Sequence, residues 1–190
     1  MFIADSTVRA IAFAVGRSGP SVRAMQNHQP TTRAAAWAIP GFLGKVRVLT
    51  AFGALPIEAL RVNDPIRTVT GRNLSVQRIK RIGLDDDFLV RHPEAHPIKI
   101  ATGAFAHGFP EQDMLISPAQ ELTVALGNLP PQRMRAGDIK GNSSVVRAPQ
   151  ETLIYYSFEL GEAAYVYVEG LPVLIPLSLS AQQDEEDQDE

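Results

Sequence analysis

Between residues 47 and 175 the chain sets short apolar runs against turn chemistry and shows little repetition at helical spacing. The punctuation falls at Asn63-Asp64-Pro65, Thr70-Gly71-Arg72, Gly108-Phe109-Pro110 and Gly170-Leu171-Pro172. Glycine, asparagine and proline spaced this closely predict many short strands. The clearest spans residues 153–160, where Ile154, Tyr156, Phe158 and Leu160 alternate with Tyr155, Ser157 and Glu159 and so share one face. A partner strand is expected over residues 165–168. Helical signals are confined to single turns at residues 57–60 and 132–136, too short for a helical architecture. The expected class is all-β with small helical turns.

Composition fits that picture. Apolar residues make up 45% and charged residues 21% of 190, which suits one domain with a packed core plus appendages. No apolar run approaches the roughly 18 residues of a membrane-spanning helix, so a soluble chain without membrane contact is expected. The sequence contains no cysteine, which removes disulfides, thiolate metal ligands and thiol nucleophiles together.

The net charge of -3 hides an asymmetry, because six of the last seven residues are acids and the rest of the chain is therefore +3. That balance is too weak to indicate nucleic acid. Residues 181–190 hold no apolar side chain beyond Ala181 and are expected to form a solvated tail, useful for solubility or for a basic partner. Residues 1–40 set Arg9, Arg17, Arg23 and Arg33 against Asp5 alone, with an apolar stretch only at residues 10–15. This reads as an arm or leader. Its apolar stretch is short for a secretory signal, which leaves cytoplasmic and secreted locations both open. The expected organisation is an arm over residues 1–40, a β domain over 41–177 and an acidic tail over 178–190.

Candidate chemistry is sparse. His92 and His96 with His107 have loose metal-ligand spacing, but Pro93 and Pro97 prevent one helix face from presenting the first pair, so a polar loop is expected. Arg78, Lys80 and Arg81 form a basic cluster in which alternation aims Arg78 and Lys80 at solvent from one strand face, so a solvated face is expected and not a phosphate groove. Thr50, Ser117 and Ser157 are hydroxyls, and a hydroxyl nucleophile needs an adjacent base. None of the four histidines, His28 included, stands in a context that designates it as that base. Gly41, Gly44 and Gly53 form no dinucleotide fingerprint, and no phosphate-binding loop is present. No cofactor and no metal are expected.

Three blocks then stand out in order. Residues 41–64, GFLGKVRVLTAFGALPIEALRVND, resemble the opening of a bacterial Hedgehog/intein (Hint) domain, which typically begins with Cys-Phe and runs through a strand to a valine-glycine-aspartate turn. Asn63 replaces the turn glycine and still tolerates positive φ. Residues 97–122, PIKIATGAFAHGFPEQDMLISPAQEL, are similar to the family's middle block, with Gly103, Ala104, Gly108, Pro110, Asp113, Ser117 and Pro118 in place. Residues 155–172, YYSFELGEAAYVYVEGLP, resemble the closing strands through Glu159, Leu160, Glu169, Gly170, Leu171 and Pro172.

The resemblance implies the Hint fold and, in the family, self-cleavage. The first cysteine attacks the preceding carbonyl while a middle-block histidine protonates the departing nitrogen. In this sequence the nucleophile position is Gly41, the middle histidine position is Gln120, and the two late histidine positions are Ser157 and Ala163. The resemblance therefore implies a Hint-like domain lacking catalytic residues and acting as a structural or protein-interaction module. The alternative is self-processing through an unconventional hydroxyl, Thr50 or Ser117. Partner identity and oligomeric state stay open.

Overall fold

The computed structural model describes residues 37–126 and 130–177. The expectations for most of the arm and for the acidic tail lie outside the described residues. In chain order the elements are β1 (Phe42–Leu43), β2 (Arg47–Thr50), β3 (Gly53–Pro56), β4 (Pro65–Arg67), β5 (Asn73–Ser75), β6 (Arg78–Leu84), α1 (Asp86–Arg91), β7 (Ile98–Ile100) and β8 (Met114–Ile116). There follow β9 (Glu121–Val124), β10 (Gln132–Arg135), β11 (Val145–Arg147), β12 (Leu153–Glu159), β13 (Ala164–Val168) and β14 (Leu171–Ile175). The expected all-β class with short helical turns is what the chain forms.

One sheet orders its strands β11-β7-β8-β1-β12-β6; a second runs β14-β13-β2-β4-β5 with β3 also on β2; β9 and β10 pair with each other. The second sheet is built from clean alternation. Val48 and Thr50 of β2, Val166 and Val168 of β13, and Leu171, Val173 and Ile175 of β14 point inward, so period two places them in one core. Each large apolar side chain buried this way contributes roughly 1.5–3 kcal/mol.

The structure corrects several sequence expectations. The strand at residues 165–168 exists as β13, but it pairs with β14 and β2 and not with β12, which lies between β1 and β6. Residues 132–135 are a strand, β10, because register against β9 pairs Arg133 with Thr123 and Arg135 with Glu121; only residues 136–138 make a helical turn. Helix α1 was not anticipated. It has six residues and one buried side chain, Leu89, and is started by Asp85, whose carboxylate accepts from the Phe88 N–H at 2.9 Å.

The alternation in β12 also changes phase. Ile154 is 46% exposed while Leu153 and Tyr155 are buried; beyond Ser157 the buried residues are Phe158 and Leu160. The strand serves two cores. Leu153 and Tyr155 pack with Leu84, Leu89 and Ala95 in a small cluster, and Phe158 and Leu160 belong to the main core. Of the expected apolar face, Tyr156, Phe158 and Leu160 do face the main core, and only Ile154 departs from it.

Candidate functional site

Strand β1 runs between β8 and β12, pairing Phe42 with both Ile116 and Tyr156. Gly41, the residue before it, is consequently held from both sides. Its carbonyl accepts from the Ser117 N–H at 2.8 Å. On the other side a Cβ at this position would lie 3.1 Å from both Tyr155 Cβ and the Tyr156 carbonyl oxygen, a close approach that glycine alone makes comfortable.

The segment entering Gly41 is clamped as well. Trp37 packs edge-on against Phe88, with ring centroids 6.0 Å apart, and its Nε1 donates to Ser117 Oγ at 3.0 Å. The fully buried Ser117 hydroxyl donates onward to the Ile39 carbonyl at 2.6 Å and accepts from the Ala119 N–H at 3.2 Å. Ordered packing thus reaches back to Trp37, upstream of the expected start at residue 41.

Beside this junction opens a cleft of about 450 Å³ whose walls include Pro40, Phe42, Gln120, Ser157, Lys80 and Glu159. Gln120 is buried. Its side-chain amide donates to the Glu121 carbonyl at 3.1 Å and its backbone carbonyl accepts from the Ala136 N–H at 2.9 Å, so the β9–β10 pair fixes it in place. Ser157 reaches the cleft from β12, where register sets it opposite Lys80, and Lys80 Nζ lies 2.5 Å from Glu159.

Three of the four family positions therefore meet: Gly41 between the cleft residues Pro40 and Phe42, with Gln120 and Ser157 in the walls. Ala163 does not join them and stands in the exposed turn between β12 and β13. Thr50 is also elsewhere, closing the β2–β3 hairpin by donating to the Gly53 carbonyl at 2.7 Å and accepting from the Phe52 N–H at 3.1 Å. No described histidine lines the cleft. The His92 ring packs against Phe88 with centroids 4.4 Å apart, and His96 Nδ1 accepts from the Gln150 N–H.

Sequence reading missed the charge of the cleft. Lys80 looked like a solvated strand position, Glu159 stood out only as a member of the closing block, and Glu121 and Arg135, which also line the cleft, carried no signal. The same-face spacing of Ser157 and Glu159 was legible, but the register that adds Lys80 was not.

Remote from the junction, the closing-block residues Glu169 and Gly170 have a structural role. Glu169 holds φ 45° with its side chain 1% exposed, and its carboxylate takes the Arg47 guanidinium at 2.7 Å and the Arg47 N–H at 2.8 Å. These hydrogen bonds and the adjoining negative charge raise the Arg47 pKa. Gly170 has φ 79°, and a Cβ there would fall 2.4 Å from the Phe109 ring.

A family model described as "Hint domain" matches residues 40–173. No curated protein matches the sequence. Among solved structures the chain is similar to the MchDnaB-1 intein, at 10% identity and TM-score 0.48, covering 70% of this chain and 98% of that one. It is similar to the gp41-1 intein at 14% identity and TM-score 0.46, covering 72% and 98% respectively. A bacterial intein-like domain from Clostridium thermocellum gives 12% identity, TM-score 0.48 and coverage of 72% and 99%. The family match begins at Pro40, takes in most of both sheets and much of the cleft's lining, and ends within β14: the chain belongs to the Hint domain family.

Proposed function

We propose that this Hint domain leaves its own backbone uncut and acts as a structural or protein-interaction module. The observation behind this reading is the junction, where Gly41 offers no side chain and where a Cβ would ask Tyr155 and Tyr156 to give by a few tenths of an ångström. Self-cleavage of the family's kind needs a nucleophile at this position and an acid for the departing nitrogen. Gln120 stands where the acid would be, and an amide exchanges no proton near neutral pH. Pro40 adds a fixed φ at the bond that would break.

The competing reading, a hydroxyl nucleophile, loses support from the bonding of both candidates. The Ser117 hydroxyl hydrogen is directed at the Ile39 oxygen while its own oxygen accepts from Trp37 and Ala119, whereas attack requires a lone pair aimed at a carbonyl carbon. Thr50 is committed to its own hairpin.

Intact mass tests the proposal. Freshly purified protein, left with or without a small thiol or hydroxylamine, is expected to keep its full mass; a fragment beginning at Gly41 would overturn the reading. Gly41→Cys alone is expected to stay intact. Gly41→Cys combined with Pro40→Gly and Gln120→His supplies the missing groups and is expected to cleave in a thiol-dependent way. Silence of that triple variant would count against placing Gly41 and Gln120 at the family's cysteine and histidine.

A further inference from the structure

The charged lining of the cleft is Lys80 and Arg135 against Glu121 and Glu159. Two further cations stand beside it: Arg78, on the Lys80 face of β6 and 4.0 Å from Glu159, and Arg133, which pairs with Glu121 at 3.3 Å. Four cations thus meet two carboxylates. Arg135 has no ion pair among the described residues, whereas Arg81 belongs to the other face of β6 and lies over the Tyr156 ring. Strand β6 has a partner on one side only among the described residues, β12, so its other edge is open to an extended segment.

The last described residues lie at this cleft. Pro176 and Leu177 are part of its wall, and six acids lie between residues 184 and 190. The seven steps from Leu177 to Asp184 reach at most about 25 Å when extended. The seven-residue β6 is itself about 23 Å long at the usual rise per residue.

We propose that this cleft and the basic strand beside it are the docking site of the chain's own acidic segment, residues 184–190. The inference rests on the reading of the cleft as an interaction site, and it names the occupant. Charge supplies the attraction, since an excess of cations meets a run of acids. Tethering supplies the rest, because a segment joined to its site through so few residues is held at an effective concentration on the order of millimolar, far above that of a free competitor in dilute solution. Exposed ion pairs are individually weak and salt-screened. Docking is therefore expected to move the melting temperature little, and proximity is the better measurement.

Carbodiimide coupling on the full chain provides it, as the sequence has only four lysines, Lys45, Lys80, Lys99 and Lys140. Links from residues 184–190 are expected to concentrate on Lys80 and to fall several-fold in 0.5 M NaCl. They are also expected to fall several-fold in the variant carrying Arg78→Gln and Arg135→Gln. The neighbouring Lys80–Glu159 link serves as internal control for a folded, reactive cleft. If that control forms while tail links are absent or spread evenly over the four lysines, the proposal is overturned. In a mixture of isotopically light and heavy chains, links between unlike chains would overturn it too, by placing the segment on a second copy. The mass experiment is independent: cleavage at Gly41 would defeat the uncut-module reading without touching the cross-link result, and evenly spread links would leave that reading standing.

Discussion

Glu169 shows what a single side chain contributes in this fold. A non-glycine residue in the left-handed region stores roughly 1–3 kcal/mol of backbone strain, and the fork of Arg47 around its buried carboxylate offsets that cost. Arg47→Met would strand the charge, and we expect a loss of about 3–5 kcal/mol in urea unfolding. The double variant Arg47→Met with Glu169→Gln should recover much of it; no recovery would mean that the charge is not what matters. Asp113 acts at the surface. Hydrogen bonds from Lys99 at 2.8 Å and from the Thr102 backbone N–H at 2.8 Å hold its carboxyl at about 2, below the ordinary range near 3.9. With the folded value depressed, the stabilisation is present above the ordinary range and is lost as pH falls through about 2. Asp113→Asn should accordingly flatten the acid limb of the stability profile between about pH 4 and pH 2. Both carboxylates were visible in the sequence as members of family-like blocks. Their partners were not, since Arg47 and Glu169 are 122 positions apart and local pattern carries no information at that range.

At the scale of elements, β12 explains why pattern reading succeeded and where it stopped. Its bounds were legible from alternation and β-branched or aromatic content. Its facing was not, because alternation fixes which residues share a face but leaves open which face is covered, and here the covered face changes halfway. Ile154→Ala is therefore expected to shift stability by less than about 0.5 kcal/mol. Tyr155→Ala, emptying a fully buried site and losing the hydroxyl bond to the Ala95 carbonyl at 2.8 Å, should cost about 3–5 kcal/mol. Equal effects of the two would contradict the phase change. Burial also pushes the Tyr155 phenol pKa up, so the ring stays neutral across any working pH. Helix α1 escaped notice for a related reason: with only Leu89 buried it has no apolar stripe, and it holds its place through the Asp85 cap and the packing of Phe88 on Trp37.

For the whole molecule, the order of three family-like blocks carried more information than any motif, and the order survives in the strands that meet at the cleft. The cleft itself was half legible. Gly41, Gln120 and Ser157 came from block alignment, whereas Lys80, Glu121 and Arg135 required the register of β6 on β12 and of β10 on β9, and the Trp37 clamp beside the cleft required the return of the chain past Ser117. One geometric fact about that cleft reaches further than its chemistry. Residues 38 and 40 at one end of the described domain and residues 176 and 177 at the other line the same space of about 450 Å³. Seen from a neighbouring polypeptide, a body whose two ends emerge side by side is equivalent to a short loop, and splicing it into a surface hairpin adds little closure entropy despite its size. Residues 37–177 placed between two strands of an unrelated carrier should leave the carrier's melting temperature within a few degrees of its own, while Trp37, the only tryptophan of this chain, reports through its fluorescence that the guest has folded. Collapse of the carrier with the guest intact would show the ends to be too far apart for that. Otherwise the domain is portable cargo, able to ride inside another protein without asking its host to rearrange.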